Sequence, residues 1–363
     1  MGFVIEWSEF VYQALPMRVT FGAGRSAHLA EELDALGVRR VLVLSTPGHE
    51  QFATDLAAPL GDRVAGTFAG ARMHVPVEVT AEAAEAAAGT DADAYLAIGG
   101  GSTIGLGKAL ALRTAFPVIA VPTTYSGSEM TPTWGLTENG VKRTGRDPSV
   151  LPRSVVYDPE LTLTLPVGLS VTSGLNSLAH AVEALYAPDA SPMTSLMARE
   201  GAAAMLDALP RVTAAPGDIA ARSRALYGAW LCGAVLGATS MSLHHKLCHV
   251  LGGSLDLPHS PTHAVVLPHV LAYNAAYAPT ASGALAELLS ADDPALALWQ
   301  LSGRLGAPRS LAELGMAEAD IPRVVKEVLA TPYANPRPLA AGDLTALLHA
   351  AVAGLPPAGP GLT

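Results

Sequence analysis

The chain has 363 residues, half of them hydrophobic and only 15% charged, with a formal net charge of −10 and 11 histidines. That length suits two domains, each able to bury a core, and the low charged fraction excludes an intrinsically disordered chain. The acidic balance argues against nucleic acid and against an anionic membrane surface as partners.

Cys232 and Cys248 are the only cysteines, so no disulfide framework is expected and a reducing cytoplasm fits. The stretch from Met1 to Trp7 has neither a basic region nor a clean apolar run, so no signal peptide is expected.

In chain order, residues 10–21 read as an edge strand or hairpin ending at Gly22-Ala23-Gly24. Helical stretches at 26–36, 81–88 and 104–112 then alternate with apolar runs at 41–44, 94–98 and 118–121. Continuous apolar strands separated by helices predict a mostly parallel sheet covered on both faces.

From Ser170 onward the β signal nearly vanishes. Ala/Leu/Gly segments with helical spacing cover 170–186, 192–209, 219–250 and 262–277, with more to follow, and residues 355–363 read as a frayed tail. Residues 225–243 carry no charge and are long enough to span a bilayer. Gly228, Gly233, Gly237 and the run Thr239-Ser240-Met241-Ser242 make a buried helix the better reading, and no membrane span is expected. The predicted organisation is an α/β dinucleotide-binding domain over residues 1–168 and an all-helical catalytic domain over 169–363. A cleft between them is the default site.

Ile98-Gly99-Gly100-Gly101-Ser102-Thr103 follows a strand and opens a helix. Glycines let the backbone approach a phosphate, and the first N–H groups of a helix point at it. The dinucleotide fingerprint is broken because its third glycine falls on Ile104. The P-loop pattern fails at Ser102 and at Ala109 after Gly107-Lys108. A tight turn that binds nothing is the bland alternative; diphosphate binding by Gly99, Gly100, Gly101 and Ser102 is the reading preferred. A second candidate, Pro122 to Glu129, follows the 118–121 strand and offers Thr123, Thr124 and Ser128 to phosphate or ribose.

Six histidines fall between 244 and 269. His245 and His249 are four apart on one predicted helix, and His259 comes after a Gly252-Gly253 break. Asn176 and His180 repeat the four-residue spacing, with Glu183 one turn on. Burying such polar pairs without purpose is costly, so they mark a functional cleft. His244, His263 and His269 lie off this register and read as structural or rim residues.

These segments resemble the iron-containing (group III) alcohol dehydrogenase family, and within it the maleylacetate reductase branch. The resemblance runs over nearly the whole chain. Its carriers are Phe21-Gly22-Ala23-Gly24, Gly99 to Ser102, Pro122 to Thr131, Asp158-Pro159-Glu160-Leu161-Thr162, Gly174 to Ala187 and His244 to His259. It implies a dehydroquinate synthase-like architecture, a homodimer and reduction by NADH or NADPH. It also implies a metal held by an Asp, a His four residues on, and two later histidines fourteen residues apart. Those positions are Asn176, His180, His245 and His259 here, and His249 matches a non-ligand histidine lining the substrate site.

Asn176 departs from the pattern, and the lost negative charge favours metal-independence, as is usual in the branch. A bound ion, if any, would take His180, His245 and His259 with Asn176; three histidines and a water suffice for catalytic zinc elsewhere. Thr46 stands where an acidic residue selects NAD, so dual use of NADH and NADPH is expected.

The implied reaction is reduction of maleylacetate to 3-oxoadipate in aromatic degradation, with a small dicarboxylate as the partner molecule. His180, His245, His249 and His259 are the expected donors to the developing oxyanion, and Asn176 can donate too. Lys246 and Tyr125 are expected at the substrate, Lys246 on a carboxylate, with Arg143 and Arg146 as second choices. Two other readings stay open: a related reductase of another oxo acid, enoic acid or aldehyde, and an inactive nucleotide-binding protein.

Overall fold

The computed structural model describes residues 10–138 and 141–358, with the backbone alone at 141 and 142. Its strands are β1 (Arg18–Phe21), β2 (Val41–Leu44), β3 (Val64–Phe68), β4 (Ala94–Gly99), β5 (Val118–Pro122), β6 (Thr133–Glu138), β7 (Val141–Arg146) and β8 (Ser154–Tyr157). The first four helices are α1 (Leu29–Leu36), α2 (Glu50–Ala57), α3 (Val77–Ala88) and α4 (Gly101–Thr114).

Six strands form one parallel sheet in the order β1-β8-β5-β4-β2-β3, in register at Val41↔Ala94, Tyr95↔Val118 and Ile119↔Ser154. Every residue of β2, β4, β5 and β8 is buried, as a sheet covered on both faces requires. The chain steps outward from β2 to β3, returns to β4, and then steps the other way through β5 to β8. This reversal lies between β2 and β4, and the crevice at the carboxyl ends of such strands is where open α/β sheets hold ligands. β6 and β7 form a separate antiparallel hairpin.

Two buried carboxylates tie the edge of the sheet together. Glu32 accepts hydrogen bonds from Thr20, Ser154 and Arg18, linking β1 to β8. Asp158 accepts the N–H groups of Gly24 and Ser26 and the Ser26 hydroxyl. The Gly22-Ala23-Gly24 and Asp158-Pro159 motifs therefore form one structural joint.

The remaining helices are α5 (Val167–Ala184), α6 (Pro192–Ala214), α7 (Ile219–Ala238), α8 (Leu243–Leu255), α9 (His259–Asn274), α10 (Pro279–Leu289), α11 (Pro294–Arg304), α12 (Ile321–Leu329) and α13 (Ala341–Ala353). α6 starts sharply: Ser191 and Thr194 cap one another and Pro192 sits in the first turn. α12 buries Ile321, Val324, Val325 and Val328, one stripe at helical spacing. That stripe joins a core with Leu247, Leu251, Val266 and Leu348. The chain divides into two compact units, one of Ala14–Leu165 with Gly217–Leu226, the other of Pro166–Pro216 with Tyr227 onward.

The α/β-then-helical fold class is as read from the sequence, but four local expectations need correction. In 10–21 only Arg18–Phe21 is a strand, and no hairpin precedes it among the described residues. β3, β8 and the β6–β7 hairpin went unread, being short segments broken by glycine or without a continuous apolar run.

The supposed helix over 219–250 is two helices, α7 and α8, bent by 94°. The cause is polar: Asp189 takes the N–H and hydroxyl of Ser240, and Glu183 takes the N–H groups of Ser242 and His244. Gly252 and Gly253, in turn, do not break α8, which runs on to Leu255 and is ended by Asp256 in the left-handed region at φ 53°. No single described helix is long and apolar enough to cross a membrane; α7 and α8 pass that test only together, as a bent pair. Of the predicted tail, residues 359–363 lie outside the described residues.

Candidate active site

Asn176, His180 and Glu183 are spaced i, i+4 and i+7 on α5 and so share one face. All three are buried. Glu183, fully enclosed, is the hub. Its Oε2 accepts His245 Nδ1–H at 2.7 Å and the Ser242 N–H at 2.9 Å, and its Oε1 accepts the His244 N–H at 2.7 Å.

Burial alone would raise the Glu183 carboxyl. The hydrogen bond from His245, the electrostatic influence of the neighbouring His245 and His244 imidazoles and the Ser242 N–H outweigh it and hold the group below the usual carboxylate range. An ionised carboxylate only accepts, so His245 carries its proton on Nδ1. Its Nε2 is then left as a buried lone pair with no hydrogen-bond partner.

The histidines of α8 and α9 close around this pair. Ring centroids are 5.1 Å apart for His180–His245, 5.2 Å for His244–His245, 4.9 Å for His244–His263, 5.2 Å for His245–His263 and 4.3 Å for His259–His263. His249 lies 6.3 Å from His245. His249 and His259 are exposed, whereas His180, His244, His245 and His263 are buried. The site therefore grades from a wet rim to a dry interior.

His244 and His263 were expected at structural or rim positions; both are wholly buried and inside the cluster, which excludes the rim and leaves the structural alternative. His269 is buried as well, though among the described residues no ring contact joins it to the cluster. The missed signal was a second i, i+4 pair, His259 and His263, on α9. Burial pushes His244 down to about 4, and His180 and His263 well below the ordinary imidazole range. These rings are neutral at physiological pH.

The other expected substrate residues are scattered. Asn176 Oδ1 faces the interior without a partner. Lys246 is half-buried and donates to Thr331 Oγ1 at 3.1 Å. Tyr125 is fully buried, and its hydroxyl accepts from Arg222 at 3.3 Å. Arg143 pairs with Glu138 on the β6–β7 hairpin, where Arg146 also lies.

A second candidate site lies in the α/β unit. Gly99 ends β4 at φ +153°, and α4 begins at Gly101 with Gly100 as its N-cap. A Cβ on Gly99 would stand 2.5 Å from Thr103 Oγ1, and one on Gly100 would stand 3.0 Å from Thr124. Only glycine allows this turn. Thr123 N–H donates to the Gly99 carbonyl, which seats Thr123 and Thr124 beside Gly99 to Ser102. Thr46 follows the neighbouring strand β2, at the same reversal of strand order, and shares a 3.0 Å hydrogen bond with His49. Thr46 and the glycine turn thus share the crevice expected to hold a dinucleotide.

Ser128 sits on a loop pinned by a cation that sequence reading had passed over. Lys108 is buried, donates to the carbonyls of Ser128 and Thr133 and to Thr131 Oγ1, and is pushed down to about 7 by burial, partly offset by Glu129. Its only earlier sign was a Gly-Lys pair that failed the P-loop pattern.

Comparison with known proteins identifies the family. Residues 16–159 match the family model described as iron-containing alcohol dehydrogenase, and residues 170–352 match the C-terminal model of the same family. The chain is 53% identical over 348 residues to maleylacetate reductase of Pseudomonas sp. (strain P51), covering 96% of this chain and 99% of that protein. It is 54% identical over 349 residues to maleylacetate reductase of Sphingobium indicum, with the same coverage. The crystal structure of maleylacetate reductase from Rhizobium sp. strain MTP-10005 superposes with a TM-score of 0.93 at 54% identity, covering 97% of this chain and all of that one.

Proposed function

The chain belongs to the iron-containing alcohol dehydrogenase family, and on that premise we propose that it reduces the conjugated C=C bond of maleylacetate to give 3-oxoadipate. It is an oxidoreductase. The observation that carries the reading is the Glu183–His245 pair: a histidine held by a buried carboxylate, its second nitrogen turned into a pocket of imidazoles.

The glycine turn suits a dinucleotide, since a Cβ at Gly99 or Gly100 would fill the close approach that a diphosphate needs. When bound, NADH or NADPH supplies the hydride, which is delivered to the alkene carbon β to the ketone. Negative charge then develops on the ketone oxygen, and a proton is needed at the adjacent carbon. His245, once its Nε2 has taken up a proton from solvent, serves as the donor, because Glu183 stabilises the resulting imidazolium and fixes its orientation. Asn176 adds an amide N–H donor where a carboxylate would repel the oxyanion. His180 and His263 keep the pocket polar but uncharged, and His249 and His259 line its rim. Lys246 offers the cation for a substrate carboxylate.

The family's iron does not fit this donor set. Asn176 presents a neutral amide oxygen in place of an anionic ligand, a poor exchange for a divalent ion. Among the described residues, the ring nitrogens that converge belong to His244, His245 and His263, not to His180 and His259. We therefore route no step through a metal. Homodimerisation and a cytoplasmic location complete the reading; two free, buried cysteines are compatible with a reducing compartment. Dual use of NADH and NADPH follows from the uncharged Thr46.

The test is a spectrophotometric assay of chelator-dialysed enzyme, following NADH and NADPH oxidation with maleylacetate and with simple aldehydes. Full turnover of maleylacetate with both nucleotides is expected. Turnover of aldehydes alone, or activity lost on chelation and restored by ferrous iron, overturns the proposal.

A further inference from the structure

Three histidines that meet in the pocket are arranged as metal ligands of a kind different from the family's own set. The ligand atoms of His244, His245 and His263 all lie within 4.8 Å of one another, and all three residues are buried. Two of the rings have their outer nitrogen already committed. His245 Nδ1 donates to Glu183 Oε2 at 2.7 Å, and His244 Nε2 donates to the His263 carbonyl at 3.1 Å.

Each of those bonds fixes a tautomer and leaves a lone pair on the other nitrogen. His244 Nδ1 and His245 Nε2 are buried without a partner, as are both ring nitrogens of His263. Buried polar atoms are seldom left so. A carboxylate and a backbone carbonyl behind the rings are the usual outer partners of metal-binding histidines. Three neutral imidazoles with an open fourth position suit zinc, which binds histidine nitrogen at about 2.0–2.1 Å. A tetrahedral ion at that distance sets its ligand nitrogens about 3.3 Å apart, so binding draws the three rings closer than their present spacing.

The geometry points to a site for Zn2+, or a like borderline divalent ion, held by His244 Nδ1, His245 Nε2 and one ring nitrogen of His263. Occupancy takes the Nε2 lone pair of His245, so the ion inhibits the reductase. The inhibition, though not the binding, rests on the role given to His245 above. The site shares only His245 with the positions that resemble the family's iron ligands, and it needs no carboxylate ligand. His259, exposed and 4.3 Å from His263, marks the side open to solvent.

Chelator-dialysed full-length protein titrated with zinc sulfate in a calorimeter should bind one equivalent per chain. Cobalt(II) in its place should give the intense visible bands of a four-coordinate ion. His263→Asn should weaken binding at least tenfold, and Glu183→Gln should weaken it about 10–100-fold by releasing the outer partner of His245. His259→Asn should bind as the parent does. Thermal melts check that each variant folds, and His244→Asn replaces His263→Asn should that one fail. No stoichiometric binding by the parent overturns the site, as does a weak six-coordinate cobalt spectrum. Loss in His259→Asn equal to that in His263→Asn overturns it too, by placing the ion at the family's positions. Binding without inhibition leaves the site standing and overturns the role of His245.

Discussion

Glu183 and His245, 62 residues apart in sequence, meet through a 2.7 Å hydrogen bond in which the buried carboxylate holds the imidazole by Nδ1. The same carboxylate receives the N–H groups of Ser242 and His244 at the start of α8. One side chain thus starts α8 and orients the proposed proton donor.

Glu183→Gln should therefore act on turnover more than on substrate affinity. The amide replaces an acceptor with a donor facing either His245 or a backbone N–H, and it no longer stabilises the imidazolium. We expect kcat to fall by about 10–100-fold with KM little changed. The alkaline limb of the pH–rate profile, where the donor loses its proton, should also move to lower pH. Unchanged turnover and an unchanged pH profile would remove the pair from the mechanism.

At the glycine turn, Gly99→Ala places a Cβ 2.5 Å from Thr103 Oγ1 in a backbone conformation of φ +153°. Strain of this kind costs about 1–3 kcal/mol. The turn must open to relieve it, so the dissociation constant for NADH, read by nucleotide fluorescence, should rise at least tenfold. The lining histidines are untouched by this change. An alanine variant that binds NADH like the parent would show that the turn does not hold the cofactor.

Thr46 tests the choice of nucleotide. Thr46→Asp introduces a negative charge where a ribose 2′-phosphate would lie and an acceptor for ribose hydroxyls. NADPH binding should weaken tenfold or more, while NADH binding holds or tightens. Equal changes for both nucleotides would place the ribose elsewhere.

Stability should decline in mild acid. His244 and His269 are each held at about 4 against an ordinary value of 6.5, chiefly by burial. The unfolded chain therefore takes up protons that the native state refuses, so the stabilisation is whole above pH 6.5. It is lost as pH falls from there towards 4, by up to about 3 kcal/mol per ring. His269→Asn should flatten that decline in urea-melt midpoints recorded between pH 7.5 and 4.5. A parent stability independent of pH over this range would contradict the assignment.

Local rules made much of this protein legible. The apolar runs at 41–44 and 118–121 became buried strands with almost unchanged bounds, because a strand buried on both faces needs apolar residues throughout. Asn176, His180, His245 and His249 were found through a helical spacing that any α-helix imposes on its own surface. The glycine turn was visible because only glycine tolerates its backbone.

Tertiary structure alone decided the rest. The packing of α8 and α9 gathered His244 and His263 around His245, and the distance that matters there runs between helices, where periodicity says nothing. The bend between α7 and α8 likewise depends on Asp189 and Glu183, which lie far upstream and take the backbone N–H groups at the break. Spacing along one helix is fixed by covalent geometry. The partners of a buried carboxylate are chosen only when distant segments close over it and water can no longer serve.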